Sequence, residues 1–399
     1  MKTKEIKLFP VLAKCINEVL FSVFSEGKKA DKVLEFYFKQ NRQWGSRDRA
    51  TIAEISYDVI RNWRYLWFLN QNEIQLSSKN LNQIIGTYLH WRGETIPEWL
   101  NYRPISIQKR EQLPLAIAES YTDEFSQLMS KELKDLWNIE AHALNIPAKV
   151  VLRVNTLKIQ KHTLQELLAN QQISTTSLEE YPSALIMNSK SNIFQNEYFK
   201  QGFFEVQDAN SQKVAEFCEV KPGMRIVDGC AGAGGKTLHL AALMNNKGKI
   251  IALDVAENKL KELNRRKIRA SADNIEIRLI HKNTIKNLKH SADRVLLDVP
   301  CSGTGVLKRN PDAKWKINQE FIEENQKKQE YILNHYSEIT KIHGKLIYST
   351  CSILPSENQK QIEKFLKTHP NFELEEQQTL LPSKTGFDGF FMAKLIRKY

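Results

Sequence analysis

Arg225-Ile226-Val227-Asp228 runs directly into Gly229-Cys230-Ala231-Gly232-Ala233-Gly234-Gly235-Lys236-Thr237, and a helix-patterned stretch to Met244 follows. A short apolar strand, a glycine-rich turn and a helix in that order open a nucleotide-binding α/β domain. The glycines let backbone and ligand approach closely, and the start of the helix supplies unpaired amides. Two phosphate-binding patterns come near and miss. Gly235-Lys236-Thr237 fits the end of GxxxxGK[ST], but Cys230 stands at the first glycine position. GxGxxG fails at its last position, where Thr237 stands.

The acids flanking the loop suggest a different ligand. Asp228 ends the first strand, and Asp254 ends the next, Lys249 to Asp254. An acid at the second position accepts both hydroxyls of a ribose. The pair suits S-adenosylmethionine, an adenosine ligand without phosphates whose ammonium group is attracted to a carboxylate. The plainer alternative is that Asp254 caps the following helix.

Outward from the loop, the rhythm after Gln207 is strand, helix, strand. Expected strands are 225–228, 249–254, 276–280, 294–298 and 345–349, with helices over 237–244, 256–269, 320–336 and 357–366. Apolar strands alternating with helices imply a mostly parallel sheet covered on both faces, a Rossmann-like α/β fold. Before it, Val150 to Val154, Ser183 to Met187 and Phe203 to Val206 read as strands, with a helix over 163–168, which makes a small α+β subdomain. Before that, the chain reads as all-helical. Ile52, Ile55, Val59, Ile60, Trp63 and Leu66 recur at helical spacing with one buried face. The expected domains are 1–145, 146–206 and 207–399.

Composition narrows the class. The 399 residues carry a net charge of +12, which suggests a polyanionic partner such as nucleic acid. There are five cysteines (Cys15, Cys218, Cys230, Cys301 and Cys351) and no CxxC pair. Neither a disulfide framework nor a metal site is expected, and reduced thiols fit a cytoplasmic protein. Lys2, Lys4 and the apolar run Leu8 to Ala13 faintly imitate a signal peptide. Lys14, Asn17 and Glu18 interrupt that pattern, so an amphipathic helix is expected. No stretch approaches the roughly 20 apolar residues of a membrane span. The chain is expected to act as a monomer.

Two of the cysteines share one setting. Strand Arg294 to Asp298 leads into Val299-Pro300-Cys301-Ser302-Gly303-Thr304-Gly305, and strand Lys345 to Ser349 leads into Thr350-Cys351-Ser352. Each thiol lies just past the C-terminal end of a parallel strand, where open α/β sheets bind ligands. Adjacent strands lie about 4.8 Å apart, close enough for both thiols to face one crevice beside Asp298. Cys15 and Cys218 have no such setting and read as structural. Cys230 is intermediate, sitting in the loop without a chemical task.

These motifs resemble the RsmB/Nop/Sun family of RNA 5-methylcytosine methyltransferases. The resemblance rests on Asp298 to Gly305, on Ser349 to Ser352, and on Asp228 to Thr237 against a cofactor motif close to DxCAxxGGKT. Arg153-Val154-Asn155-Thr156-Leu157, Gln207-Asp208, Ser211-Gln212, Glu357-Asn358 and Asp388 to Ala393 match as well, so that it covers about 148–399. Ala233 stands where the family usually has proline, and Asn283 where an aspartate near the adenine is common. The resemblance implies a Rossmann-like class I methyltransferase domain, with a mixed, mostly parallel sheet, that uses S-adenosylmethionine. Asp228, Cys230, Ala231, Gly232, Ala233, Gly234, Gly235, Lys236, Asp254, Asn283 and Asp298 would line the cofactor site. It further implies that Cys351 attacks carbon 6 of cytosine, that Cys301 assists the closing elimination, that Asp298 hydrogen-bonds the base, and that Lys236 positions Asp298. A free thiol has a pKa near 8.5, so a positive field from Lys236, Lys308 and Arg309 is expected to favour thiolate.

In the loop Leu307 to Lys316, Lys308, Arg309 and Lys314 flank Trp315, a pattern suited to phosphate contact and base stacking. The target base must be single-stranded or flipped out. Ser46-Arg47-Asp48-Arg49-Ala50 with Tyr57 to Arg61 is similar to the NusB-like helical domain of bacterial RsmB-type enzymes, which implies RNA binding and small-subunit ribosomal RNA as substrate. The rival readings are a phosphate-loop NTPase and a non-catalytic RNA-binding protein.

Overall fold

A computed structural model describes residues 7–71, 74–189 and 192–399, which divide into two compact units. Lys2 and Lys4 lie outside the described residues. One unit is Met1–Ile146 together with Leu307–Asn318; the other is Pro147–Val306 with Gln319–Tyr399.

The first unit is all-helical. Its longer helices are Pro10–Phe24, Ala30–Gln40, Ser46–Arg61, Trp63–Asn70, Ser78–Arg92, Asp123–Leu133 and Leu136–Asn145. The apolar run near the N-terminus forms the first of these. Pro10 starts it, where a missing N–H costs nothing. Leu12, Ile16, Val19 and Leu20 are buried against Ile52, Ile55, Val59, Ile60 and Ile84. The expected periodic face is therefore the core face, although Asn62 breaks it into two helices. Asp48 accepts from the Gly45 amide at 3.2 Å and fixes the start of Ser46–Arg61.

Leu307–Asn318 was expected in the sheet domain and groups instead with the helices. Its lysines explain why. The Lys314 ammonium donates to Arg61 O at 2.7 Å and Asn145 Oδ1 at 3.0 Å, and Lys308 Nζ donates to Ala143 O at 3.1 Å. Arg61 is the last residue of its helix and Ala143 lies in the last turn of another, where carbonyls lack intrahelical partners and attract cations. Arg61 returns a bond to Lys308 O at 2.9 Å, and Trp315 Nε1 donates to Ile60 O at 3.1 Å.

The second unit holds two sheets. β1 (Val151–Val154), β2 (Thr175–Ser177), β3 (Ala184–Met187) and β4 (Phe204–Val206) form an antiparallel sheet in the order β2-β3-β1-β4. Leu164 and Leu168 of the helix Lys161–Asn170 pack on Leu152, Val154, Leu185 and Phe204. The second sheet contains β5 (Arg225–Asp228), β6 (Lys249–Asp254), β7 (Ile275–Leu279), β8 (Ala292–Asp298), β9 (Thr340–Thr350), β10 (Phe372–Leu380) and β11 (Phe390–Arg397). Its order is β10-β11-β9-β8-β5-β6-β7. Strands β5 to β9 are parallel, as the alternating pattern implied, and β10 and β11, not among the strands read from the sequence, add the antiparallel edge that makes the sheet mixed, as expected. β10 escapes notice because Glu373, Glu375 and Glu376 give it the polarity of an edge strand.

Alternate residues of the sheet feed two cores. Ile226, Ile250, Leu296 and Ile347 face one, while Val227, Ile251, Leu297 and Tyr348 face the other. Each such fully buried side chain contributes roughly 1.5–3 kcal/mol. Chain order reverses between β5 and β8, and a cleft opens at the carboxyl ends of the strands there.

Candidate active site

The cleft has a volume of about 490 Å³. Asp228, Gly229 to Ala233, Gly235 and Lys236 form its floor, with Asp254, Val255 and Ile280 to one side and Asp298, Val299 and Pro300 to the other. Ile332 and Tyr336, from the helix Gln319–Tyr336, add apolar walls. Of the expected cofactor residues, all but Gly234 and Asn283 line it. Asn283 is exposed on the loop after β7, and Ile280 stands at the cleft in its place. Gly234 acts from behind. Its φ is +84°, and a Cβ there would lie 2.1 Å from Leu263 Cδ1, so only glycine brings the loop against the helix Glu257–Ala270.

The loop is held by its acids. Asp228 Oδ2 accepts from Thr237 Oγ1 at 2.7 Å. Burial pushes the Asp228 carboxyl up to about 7; the Thr237 hydrogen bond opposes this and the charge of Asp298 adds to it. Asp254 accepts from the amides of Gly232 and Ala256, each at 2.8 Å. It therefore ties the glycine loop to the turn after β6, beyond the helix-capping alternative, with its carboxylate still at the cleft.

Two further ties come from residues whose role was not legible. Arg153 of β1 donates to Gln207 Oε1 and to Gly235 O at the start of the glycine-loop helix. Arg266 donates to Ala233 O at 2.8 Å and to Glu205 at 3.0 Å. In sequence Arg266 is one of several basic residues of its helix and belongs to no motif.

Strand pairing brings the chemistry together. β8 and β9 are parallel neighbours with Asp298 in register with Ser349, so Cys301 and Cys351 leave adjacent strand ends. Their Sγ atoms are 3.3 Å apart. The hydrogen bond with Cys351, then burial, then the charges on Cys351 and Glu357 raise the Cys301 thiol well above its usual range; the Gly303 amide opposes them. Lys236 Nζ donates to Asp298 Oδ2 at 2.7 Å. Burial works against its charge, but the Asp298 carboxylate outweighs this and raises the Lys236 ammonium above its ordinary value, with Cys351 adding to the effect.

The Cys351 loop is fixed by backbone crossing. Gly305 N donates to Cys351 O at 2.9 Å, and Gly389 N donates to Gly305 O at 2.7 Å. A Cβ on Gly305 would lie 2.3 Å from Gly389 O, so the close approach requires glycine. Asn358 Nδ2 donates to Ser352 O at 2.9 Å, and Thr350 Oγ1 donates to Asn358 Oδ1 at 2.6 Å.

The other cysteines stand apart from the thiol pair. Burial first, with the Glu18 charge, pushes the Cys15 thiol up to about 12, and Cys218 is raised chiefly by burial. Cys230 lines the cleft, but burial and three nearby carboxylates hold it in the thiol form.

Of the four expected RNA contacts, Lys308 and Lys314 are buried, 3% and 2% exposed, with their ammonium groups turned inward onto helix ends. Burial pushes the Lys314 ammonium well below its ordinary value; the neighbouring Arg61 and Arg110 push the same way and Glu119 opposes them. Trp315 is half-buried with its ring edge-on to Phe24 at 5.8 Å, and Arg309 is half-buried. Lys308 and Lys314 thus cap helix ends, and of the sources named for a positive field near the thiols, Lys236 has a structural basis. Among the described residues no cluster of histidine, cysteine and acids is arranged to hold a metal ion, and no helix is long and apolar enough to cross a membrane.

Comparison with known proteins identifies the family. Residues 215–396 match the family described as 16S rRNA methyltransferase RsmB/F, and residues 125–194 match the ferredoxin-like domain of RsmF/B-like methyltransferases. Ribosomal RNA small subunit methyltransferase B of Proteus mirabilis is 34% identical over 268 residues, 66% of this chain and 63% of that protein. A probable member from Coxiella burnetii is 30% identical over 288 residues, 68% of this chain and 67% of that one. The match thus spans a little under two thirds of the Proteus protein's length. A crystal structure of a methyltransferase homolog from Pyrococcus horikoshii is 28% identical, with a TM-score of 0.63 over 71% of this chain and 98% of its own. The crystal structure of PH0851 shares the fold at a TM-score of 0.81 and 24% identity, over 99% of this chain and 100% of its own. The thiol pair, the acid-flanked glycine loop and these matches lead to one conclusion: the chain belongs to the RsmB/RsmF family of methyltransferases.

Proposed function

We propose that this chain transfers a methyl group from S-adenosylmethionine to carbon 5 of a cytosine in small-subunit ribosomal RNA, with Cys351 as the attacking thiol. The observation that carries the reading is the 3.3 Å approach of Cys301 and Cys351 beside the Lys236–Asp298 pair. The names of the curated relatives support the RNA class. The all-helical unit, similar in sequence to NusB-like domains, supplies RNA contact in this reading.

The cleft residues fit the methyl donor. A volume of 490 Å³ falls in the range of small-molecule sites. Asp254 suits ribose hydroxyls, Val255 and Ile280 suit the flat faces of an adenine, and Asp228 suits an ammonium group. Acids at both ends repel a triphosphate, which disfavours the NTPase alternative. When bound, S-adenosylmethionine supplies an electrophilic methyl group.

The chain's own residues prepare the base. Carbon 5 of cytosine is a weak nucleophile. Addition of the Cys351 thiolate forms a sulfur–carbon bond at carbon 6 and moves an electron pair onto carbon 5, the atom to be methylated. Asp298, held by Lys236, hydrogen-bonds the base and stabilises its protonated form. Once a base takes the carbon 5 proton, the electron pair restores the ring and Cys351 departs with the bonding pair. Cys301 assists there, its thiol hydrogen-bonded to the departing sulfur.

The raised Asp228 carboxyl gives a pH signature. It is largely protonated below about 7 in the ligand-free chain. Folding therefore gains stability from the protonated form, fully present below the unfolded value of about 3.9 and lost as pH rises through 7. A ligand ammonium needs the carboxylate, so binding runs the opposite way. S-Adenosylhomocysteine affinity, measured calorimetrically, is expected to rise about tenfold per pH unit up to 7 and then level off. Asp228→Asn should bind weakly with a flat profile. A flat profile in the unmodified chain removes Asp228 from the ammonium site.

The function itself is tested by incubating the chain with methyl-labelled S-adenosylmethionine and unmethylated 16S ribosomal RNA. Label is expected in 5-methylcytosine after digestion to nucleosides. Label on another nucleoside, or none, overturns the reading.

A further inference from the structure

Glu357 is fully buried and plays no part in the scheme above. Its Oε1 accepts from Ser302 N at 2.8 Å and from Gln329 Nε2 at 2.9 Å, and its Oε2 accepts from Ser302 Oγ. Gln329 also donates to Pro300 O at 3.0 Å. Pro300 and Ser302 are the residues on either side of Cys301. Tyr348, on the strand that leads to Cys351, donates to Glu357 O at 2.6 Å. One side chain therefore holds the Cys301 loop, while its own backbone is anchored to the Cys351 strand. These partners are neutral donors, and burying a carboxylate among them is costly compared with an apolar side chain of similar size. Such a group is retained where its charge or its geometry is used.

We propose that Glu357 is a positioning residue that acts through Cys301, fixing the loop Pro300–Ser302 so that Cys301 presents a protonated thiol to Cys351. The inference rests on the two-thiol reading of the site. The geometry gives the position: with Ser302 held through both its amide and its hydroxyl, Cys301 has little freedom to swing away from a sulfur 3.3 Å distant. The charge gives the protonation state. Glu357 is among the groups that favour the thiol form of Cys301, after the Cys351 hydrogen bond, burial and the Cys351 charge. A thiolate at Cys301 would repel the Cys351 thiolate as it departs and would compete for carbon 6.

Two measurements on the whole 399-residue chain test this. The first uses iodoacetamide and peptide mass spectrometry to follow alkylation of Cys301 against pH, in a Cys351→Ser background that cannot form the RNA adduct. Adding Glu357→Gln should lower the midpoint of Cys301 alkylation by about half a pH unit or more, since a nearby negative charge has been removed. A purely structural role would raise reactivity at every pH without moving the midpoint. Glu357→Asp keeps the charge but withdraws it by one methylene, and an intermediate midpoint is expected. It carries the test if the glutamine variant does not fold. The second measures release of the covalent RNA adduct in the chain with both cysteines, where Glu357→Gln should slow release several-fold. An unmoved midpoint overturns the proposal even if release slows. Absence of any adduct in every variant counts against the covalent reading instead, and the alkylation profile still judges Glu357.

Discussion

Cys351→Ala will abolish methyl transfer, by on the order of 10⁴-fold or more, the scale seen when a nucleophile is removed from a covalent mechanism. The loss should fall on turnover, with affinity for S-adenosylhomocysteine and for RNA within about twofold of the parent chain, because Cys351 is not among the cleft residues. The fold should also survive. Cys351 is only partly buried, and the bonds from the Gly305 amide and the Asn358 side chain around it do not involve its thiol. Rapid-quench assays with labelled methyl donor and a denaturing gel for the adduct separate these effects. No RNA-linked protein band should form. A Cys351→Ala chain that still methylates would move the nucleophile elsewhere, and Cys301 would be the first alternative.

Cys301→Ala should do the reverse. Attack on carbon 6 proceeds, the closing elimination slows, and protein accumulates as a nuclease-sensitive, slowly migrating band on a denaturing gel. Multiple turnover should fall by about 10²–10⁴-fold, the usual range for losing proton-transfer assistance, while a single turnover still transfers label. The asymmetry follows from the pair itself. Cys301 is the thiol whose proton is held by Cys351, burial and the nearby charges. If Cys301→Ala gave no adduct while Cys351→Ala gave one, the roles of the two thiols would have to be exchanged.

The site was legible where local pattern suffices. A strand–glycine–helix sequence can be recognised from residues 225 to 244 alone, because turn chemistry and hydrophobic period are properties of neighbours in the chain. The same holds for a cysteine two or three residues past an apolar strand. Family resemblance supplied the roles. Asn283 shows the limit of that transfer, since it was placed by alignment on a loop and stands exposed, while Ile280 meets the cleft. Glu357 shows the limit of composition. The Glu357-Asn358 motif marks the position without giving it a task, and its standing comes from Ser302, Gln329 and Tyr348, 55, 28 and 9 residues away.

The sequence by itself determined the parallel α/β core, the acid-flanked glycine loop and the pairing of two cysteine motifs at strand ends. Only the tertiary structure decided that the thiols meet at 3.3 Å, because that distance depends on β8 and β9 being neighbours in register. Only it decided that Lys308 and Lys314 turn inward. A lysine in a loop has no unpaired carbonyl within reach until helices from elsewhere in the chain end beside it. Strand and turn propensities act between near neighbours, whereas thiol contacts, buried carboxylates and helix-end cations depend on groups that folding alone brings together.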